Sequence, residues 1–366
     1  MRISDHLIAV VIPFPWDRGD AHLLVPDGWS ALQIAQDPVL RAHLDQKYHA
    51  HFMHTMHAVD DAGKRVFVPD APRAGSVAEV EVALGQVEVR SCSSGVAMLT
   101  LFFELKGPEM TLDHVDRVAA ALRDPATVFD PGQGTTTLGQ RVEDLLTSIG
   151  ADPAVRMAFG PNFKVFTNVV VDDDPWADPM WNERLFELAT GLPLGGMSQQ
   201  NAPTQHYMAS TLAANGLHVF TNWRAIALFD TFTRLAIRSA DPYHTWRKDY
   251  LPIFQYVLLL RASAMRLSSI LASTGLNDVR LLDVRDEWMA FRNAVDLRFI
   301  SYKWLPNEMF AKMIAGTNTV HEIHQADDRL ERIVQRFKER RDRNLVRVGL
   351  ILAALLIVGL FVFSGA

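Results

Sequence analysis

The most constraining feature of this sequence is an uncharged run of nineteen residues at positions 348–366. An apolar helix rises about 1.5 Å per residue, so a helix of this length can cross a hydrocarbon core of about 30 Å. All of its backbone hydrogen bonds are made within the helix, as a bilayer requires. The run therefore predicts one C-terminal transmembrane helix, with the lipid bilayer as a partner.

A basic segment directly precedes this run, and its cations include Arg340, Arg341, Arg343 and Arg347. Under the positive-inside rule, such a flank stays on the cytoplasmic side of the membrane. Because almost nothing follows the run, the expected topology is a single-pass tail anchor with a cytoplasmic N-terminal part. A bacterial inner membrane is the expected location.

The net charge and the cysteine count of the chain indicate which partners and which cellular compartment to expect. The formal net charge is −6, and the chain without its basic segment is more acidic still. A nucleic-acid partner is therefore not expected, since such proteins present a basic surface. Cys92 is the single cysteine. It permits no intrachain disulfide, which agrees with a cytoplasmic location.

Residues 1–235 alternate short β-rich runs with helical ones, and they predict an α+β (α/β) domain with a mixed or antiparallel sheet. Gly85 lies between two alternating runs and predicts a tight hairpin. Residues 236–304 predict a helical region. Within it, the apolar run at 250–260 is too short to span a membrane and predicts a buried helix.

The next predicted element is a long-helix stalk over residues 305–347, which continues into the transmembrane helix at 348–366. Six of nine seam positions of a heptad pattern are apolar, among them Ile323 and Leu330, and the polar exceptions are Asp327, Arg341 and Asn344. The seam predicts a coiled-coil homo-oligomer. The alternative is that this helix packs on the chain's own preceding helices.

Two small residues, Gly349 and Ala353, lie four positions apart inside the apolar run. A pair at this spacing lets two membrane helices approach each other closely. It therefore favours a homo-oligomer, although glycine and alanine are common in any membrane helix.

A histidine tract is the first candidate metal site. His51, His54 and His57 follow one another at three-residue steps. If the segment is helical, neighbouring members share a face and can offer imidazoles to a transition metal such as zinc. The alternative is an ordinary half-buried segment, because Phe52, Met53 and Met56 lie between the histidines.

Three consecutive carboxylates, Asp172, Asp173 and Asp174, form the second candidate metal site. They follow an apolar run that predicts a strand at residues 163–171. Oxygen ligands at the end of a strand suit a hard divalent cation such as magnesium. Aspartates before Pro175 are also ordinary turn residues, so the alternative is a simple turn.

No complete catalytic or nucleotide-binding motif is present, so an enzyme is not expected. The segment at residues 191–197 is rich in glycine, but no Gly-Lys-Ser or Gly-Lys-Thr follows it. A metal-dependent hydrolase that uses the histidine tract or Asp172, Asp173 and Asp174 is the last-ranked hypothesis, since no nucleophile and base converge on either group.

The order of parts resembles the CorA-type magnesium transporter superfamily. The likeness lies in the acidic α/β N-terminal domain, the apolar run at 250–260, the stripe that includes Phe291 and Tyr302, and one long helix entering the membrane. The resemblance implies a cytoplasmic domain, a pentamer, and conduction of divalent cations along an axis lined by a membrane helix. This chain has one such helix where the family has two, and it lacks the Gly-Met-Asn signature, so no selectivity-filter residue is assigned.

The leading hypothesis is a membrane-anchored, CorA-like homo-oligomer. Its cytoplasmic domain would sense a ligand or ion, such as magnesium or zinc, and act through the stalk on the membrane helix, with divalent-cation transport as one output. The alternative is a non-conducting, membrane-tethered scaffold or regulator.

Overall fold

The computed structural model describes most of the chain. The described residues are 1–16, 26–31, 52–59, 81–92, 94–107, 110–129, 136–172, 178–191, 203–238, 245–273, 278–295, 300–301 and 303–364. The strands are β1 (Ile3–Pro15), β2 (Ser30–Ala31), β3 (Phe52–Val59), β4 (Glu81–Cys92), β5 (Val96–Lys106), β6 (Val128–Phe129), β7 (Thr136–Thr137), β8 (Lys164–Val171), β9 (Gly216–Leu217), β10 (Trp223–Leu228) and β11 (Thr231–Ile237). The α-helices are α1 (Leu112–Ala121), α2 (Leu138–Ser148), α3 (Asp178–Thr190), α4 (Gln205–Asn215), α5 (Leu251–Ala272), α6 (Asp278–Ala294), α7 (Trp304–Gly316) and α8 (Thr319–Ser364).

The described strands form one mixed sheet in the order β2-β3-β4-β5-β1-β8-β11-β10-β9, while β6 and β7 pair separately. The neighbours β8 and β11 are parallel, and the other neighbouring pairs in the described sheet are antiparallel. The predicted α+β class and mixed sheet are confirmed.

Both faces of the sheet are covered by helices. In β1, Ile8 and Val10 join a core with helices α1 to α4, while the alternate residues Ala9 and Val11 join a second core with α5 to α8. Adjacent strand residues point to opposite faces, so a strand covered on both faces is apolar at every position. This three-layer arrangement explains why β1 is continuously apolar from Leu7 to its end.

Gly85 does not form the predicted hairpin. It lies inside β4, where the pairing with β5 shifts register between Leu84 and Val87. A glycine within a strand often marks such an irregularity. The reversal between β4 and β5 instead includes Gly95, which has a φ of 70° and whose backbone N–H donates to the carbonyl of Cys92.

Helix α5 covers the apolar run for which the sequence predicts a buried helix. Residues 251–264 are all buried, including the polar Gln255 and Arg261. The helix packs across the second face of the sheet, where Gln255 Nε2 donates to Thr100 Oγ1 of β5 at 2.9 Å. A helix that is apolar on every side belongs in the interior of a domain.

The predicted continuous helix from residue 305 into the membrane is wrong at one point. Helix α7 ends at Gly316, and α8 begins at Thr319. Between them Asn318 adopts a left-handed φ of 59°, a conformation that asparagine tolerates at helix ends. The hydroxyl of Thr317 donates to the carbonyl of Met313 at 2.7 Å and satisfies the last turn of α7.

Helix α8 has two parts with different surroundings. Its N-terminal part packs on the second core through the buried residues Ile323, Ala326 and Leu330, and the half-buried Phe337 continues this contact. Here the helix packs on the chain's own domain, which is the alternative to a coiled-coil seam. From Lys338 to residue 355 every side chain is exposed.

Candidate functional site

Two members of the histidine tract, His54 and His57, do not have the helical geometry on which the metal-site prediction depends. His54 and His57 lie in β3, which pairs with β4 so that His54 is opposite Ser91 and His57 opposite Glu88. The helical interpretation is therefore wrong for these two positions, since three-residue spacing brings positions onto one face only in a helix. His51 lies outside the described residues.

The carboxylate cluster is described only at its first member. Asp172 directly follows β8, its side chain is exposed, and its backbone N–H donates to the carbonyl of Arg2. Asp173 and Asp174 lie outside the described residues. Among the residues that the structure describes, no group of three or more histidine, cysteine or acidic side chains is placed to hold a metal ion.

The residues predicted for membrane and oligomer contacts all lie in the exposed C-terminal part of α8: Arg340, Arg341, Arg343, Arg347, Gly349 and Ala353. A Cβ added to Gly349 would meet nothing within 4 Å. The last two residues of the predicted span, Gly365 and Ala366, lie outside the described part of the chain. None of the described helices is long and apolar enough to cross a membrane.

The structure points to the base of α8, where the helix leaves the domain, as the candidate functional site. Trp288 of α6 donates its indole Nε1–H to Asp327 Oδ1 at 2.7 Å, and Arg292 Nε lies 3.6 Å from Asp327 Oδ2. Asp327, one of the polar residues that interrupt the predicted seam, therefore fixes α8 to α6. Hydrogen bonds to an ionised carboxylate are among the stronger ones in proteins.

A buried group of charges connects the sheet to the same helix. Lys164, the first residue of β8, donates from Nζ to Asp230 Oδ1 at 2.6 Å, and Asp230 lies in the turn between β10 and β11. The adjoining turn residue Phe229 accepts a hydrogen bond at its carbonyl from Arg261 Nη1 of α5 at 3.0 Å. The Arg261 guanidinium also stacks on the Phe229 ring, 3.5 Å from its centroid.

The buried cations Arg261 and Lys164 interact with neighbouring charges, and for Arg261 one of these charges comes from α8. Burial lowers the pKa of Arg261, and the negative charges of Asp230 and of Glu322 in α8 oppose that shift. Burial also lowers the pKa of Lys164. There the charge and hydrogen bond of Asp230 raise the pKa, while Arg261 and Arg123 lower it further. Arg261 of α5 thus contacts the turn between β10 and β11, and the negative charge of Glu322 in α8 acts on it at longer range.

Sequence reasoning misses this group because its members are far apart in the chain. Lys164 and Asp230 are 66 positions apart. One signal was available: Lys164 and Arg261 are cations at the boundary of strongly apolar runs. Charged residues are rarely buried without a partner, so each of the two predicts an unseen counter-charge.

The C-terminal part of α8 presents a different surface. Large apolar side chains stand exposed there, with Leu345 at 62% and Leu350 at 66% of their full accessibility. They follow the exposed arginines along the same helix. Nothing in the described part of the domain covers them, and exposed apolar patches of this kind mark sites of contact with proteins or membranes.

Comparison with known proteins provides no further guide to the function. No protein-family model, no curated protein and no solved structure matches this chain. The function is therefore inferred from the contacts of α8.

Proposed function

We propose that this chain is a membrane-anchored, CorA-like homo-oligomer in which α8 transmits the state of the three-layer domain to the lipid bilayer. The observation that supports this is the continuity of α8, which is one helix of 46 residues. It begins within the second core, passes through the basic segment and continues into the exposed apolar segment. A continuous helix is stiff on this length scale, so movement at its base displaces its far end.

The exposed apolar surface supports the anchor. Burying one leucine side chain contributes about 1.5–3 kcal/mol, and several such residues follow Arg347. At about 1.5 Å per residue, residues 348–366 measure roughly 28 Å along a helix, close to the thickness of a hydrocarbon core. The preceding arginines suit the anionic headgroups of a cytoplasmic leaflet, at about 1 kcal/mol for each cation near the surface.

The contacts at the base of α8 support signal transmission. Trp288 and Arg292 of α6 contact α8 directly. The turn that carries Asp230 lies against Arg261 of α5, on which the charge of Glu322 in α8 acts. A ligand that moves this turn or α5 would also move α8. A divalent cation, magnesium or zinc, is the proposed ligand class, and a cation pathway through the assembled membrane helices is the proposed output.

Two measurements test the anchor and the assembly. The full chain should remain in the membrane pellet after alkaline carbonate extraction, and after solubilisation in detergent it should migrate as a multiple of its monomer mass.

Replacing Leu352 and Leu355 by lysine should release it from the pellet, because a lysine at the centre of a membrane helix costs about 2.5–3.5 kcal/mol. The control replaces the same two residues by alanine. Extraction of the wild type by carbonate would refute the anchor, and a strict monomer would refute the oligomer.

A non-conducting tethered scaffold is the second candidate, and the side chains of the apolar segment favour it. Residues 348–363 carry only apolar side chains or glycine, so they offer no side-chain ligand for a cation. Replacing residues 348–366 by an unrelated apolar helix separates the two proposals. Cation flux that survives the exchange would exclude a pathway built from this segment, and flux that is lost would exclude a passive tether.

A further inference from the structure

Helix α8 carries a repeated pair of residues that the apolar seam does not explain. An acidic or amide residue is followed directly by arginine five times between positions 328 and 343. The pairs are Asp328-Arg329, Glu331-Arg332, Gln335-Arg336, Glu339-Arg340 and Asp342-Arg343. Successive pairs are three or four positions apart, which is the spacing of residues on one face of a helix.

Helical geometry turns these pairs into two parallel stripes. With 3.6 residues per turn, adjacent residues are about 100° apart around the axis. The first members form an acidic stripe (Asp328, Glu331, Gln335, Glu339, Asp342), and the second members form an arginine stripe (Arg329, Arg332, Arg336, Arg340, Arg343). Each stripe extends for roughly 20 Å along α8.

Both stripes are open to solvent. All ten side chains are exposed, whereas the apolar face of the same helix is occupied by the domain through Leu330 and Phe337. The stripes therefore lie on the part of the helix surface that the chain's own core leaves uncovered.

Among the residues that the structure describes, the charges of the two stripes form no ion pairs. Arg332 and Arg343 donate from Nε to the backbone carbonyls of Asp328 and Glu339, at 3.1 and 3.3 Å, rather than to their carboxylates. Across the described residues, none of the charged members of either stripe forms an ion pair. Within the described part of the chain, Gln335 Nε2 donates to Glu339 Oε1 at 3.4 Å, and the two complementary surfaces otherwise have no ion-pair partner.

We propose that the acidic stripe of one copy binds the arginine stripe of a second copy of this chain, with their α8 helices parallel and at the same height. This inference rests on the proposed homo-oligomer and specifies its interface. The two stripes have the same spacing and are offset by one residue, so parallel helices at equal height bring opposite charges together along the full length. A common membrane would impose that orientation and height.

The positions of the two stripes around the axis of α8 determine the symmetry of the assembly. The two complementary surfaces lie on different sides of α8, so each copy uses one surface toward one neighbour and the other surface toward the next. Such a head-to-tail interface generates a closed ring when the rotation between copies closes. The apolar residues of the same stretch, such as Leu330, Val334 and Phe337, pack on the domain, so that face of α8 is not free to form the seam of a two-stranded coiled coil.

Lipid headgroups are a weaker match for the arginine stripe. If α8 stands upright on the bilayer, Arg329 and Arg332 lie more than about 20 Å along the helix from residue 348. Electrostatic attraction is screened over about 8 Å at physiological ionic strength. Headgroups would therefore reach only the lower end of the stripe, and they would leave the acidic stripe unexplained.

Charge reversal tests the pairing on the full-length protein in detergent. One variant reverses the acidic stripe (Glu331→Arg, Glu339→Arg, Asp342→Arg), a second reverses the arginine stripe (Arg332→Glu, Arg340→Glu, Arg343→Glu), and a third combines all six changes. Mass is measured by light scattering during size-exclusion chromatography at low and high salt. The matched control is Lys338→Gln with Arg341→Gln, two exposed cations of the same segment that lie outside both stripes.

Reversing the charges of either stripe alone should weaken association by at least about tenfold, because several ion pairs become like-charge contacts. The combined variant should assemble again, since its stripes are complementary with exchanged signs. The control should retain the wild-type mass, and high salt should weaken the wild-type assembly. Far-UV circular dichroism should be the same for every variant, because all changed side chains are exposed.

The alternative outcomes are distinguishable. A wild-type monomer would overturn both this pairing and the proposed homo-oligomer. If reversing either stripe leaves the oligomer intact, the pairing is wrong but the homo-oligomer stands. The same conclusion follows if the combined variant stays dissociated. If the arginine reversal changes only binding to anionic vesicles, and not the mass, the stripe binds lipid and the pairing is wrong.

Discussion

Trp288 and Asp327 join α6 to α8 through one hydrogen bond, with the indole Nε1–H donating to the carboxylate Oδ1 at 2.7 Å. The two residues are 39 positions apart in the chain. The indole is buried while the carboxylate is partly exposed, and Arg292 lies beside the second carboxylate oxygen. This contact determines where α8 leaves the domain.

Replacing Asp327 by alanine should lower the free energy of unfolding by about 1–3 kcal/mol, because the buried indole N–H loses its acceptor. Urea unfolding followed by tryptophan fluorescence measures the change. Asp327→Asn is the matched control, since its amide oxygen can still accept the bond, and it should cost less than the alanine variant. Equal losses in the two variants would show that the ion pair with Arg292, rather than the indole bond, stabilises this contact.

Gly316 at the end of α7 should not tolerate a side chain. A Cβ placed there would overlap the carbonyl oxygen of Ala227 in β10, and a backbone atom has little room to move. Gly316→Ala should therefore destabilise the domain by about 1–3 kcal/mol. Thermal unfolding measures this change.

Gly349→Ala provides the control for that prediction. Its Cβ would meet nothing within 4 Å, so the unfolding temperature of the domain should not fall, although alanine favours the helix locally by up to about 1 kcal/mol. A Gly316→Ala variant as stable as this control would contradict the close packing of α7 on β10.

The sequence predicts the core elements well where one physical signal dominates. Apolar runs bounded by polar residues give β1, β8 and α5 because these elements are covered on both sides and tolerate few polar positions. The sequence predicts one helix across the break between α7 and α8 because residues at helical spacing continue on both sides of it. The structure shows that the local signal at Thr317 and Asn318 ends α7 instead, since asparagine adopts a left-handed conformation there.

The candidate site is harder to predict because long-range partners create it. In the sequence, Asp327 is a polar residue at an apolar position of the heptad pattern. Its partner, Trp288, is identified only by the structure. For the histidine tract, the sequence predicts a site that the structure does not form: His54 and His57 have helical spacing but lie in β3. There the sheet pairing with β4 overrides a local pattern.

Breaking the buried pair of Lys164 and Asp230 should be costly. Their side chains are 5% and 10% exposed, so Asp230→Asn leaves an ammonium group with little access to water. The expected loss is about 3–5 kcal/mol of unfolding free energy. Chemical denaturation at neutral pH measures it.

The double variant Lys164→Met with Asp230→Asn tests the cause of that loss. It removes the buried charge together with its partner, so it should be more stable than Asp230→Asn alone. A double variant that loses the sum of the two single effects would show that the two residues act independently and that the ion pair has no special role.

His6 should make the stability of the domain sensitive to mild acid. Its Nε2 accepts a hydrogen bond from the backbone N–H of Leu105 at 3.0 Å, just beyond the last residue pair of β1 and β5. Burial lowers the pKa of His6, against the opposing charges of Asp5 and Glu104. Below about pH 6.5 the unfolded chain therefore binds more protons than the folded chain, and the unfolding free energy falls as the pH drops toward the folded pKa.

His6→Gln should flatten this dependence, because glutamine does not titrate and its amide oxygen can still accept the Leu105 bond. Some slope should remain, since burial and the charge of Arg117 also lower the pKa of His114. Urea unfolding at half-unit steps between pH 5 and 7 gives the comparison. The control is His206→Gln, a change at an exposed histidine of α4, which should leave the wild-type slope in place. If His6→Gln and His206→Gln have the same slope, protonation of His6 does not contribute to the loss of stability in acid.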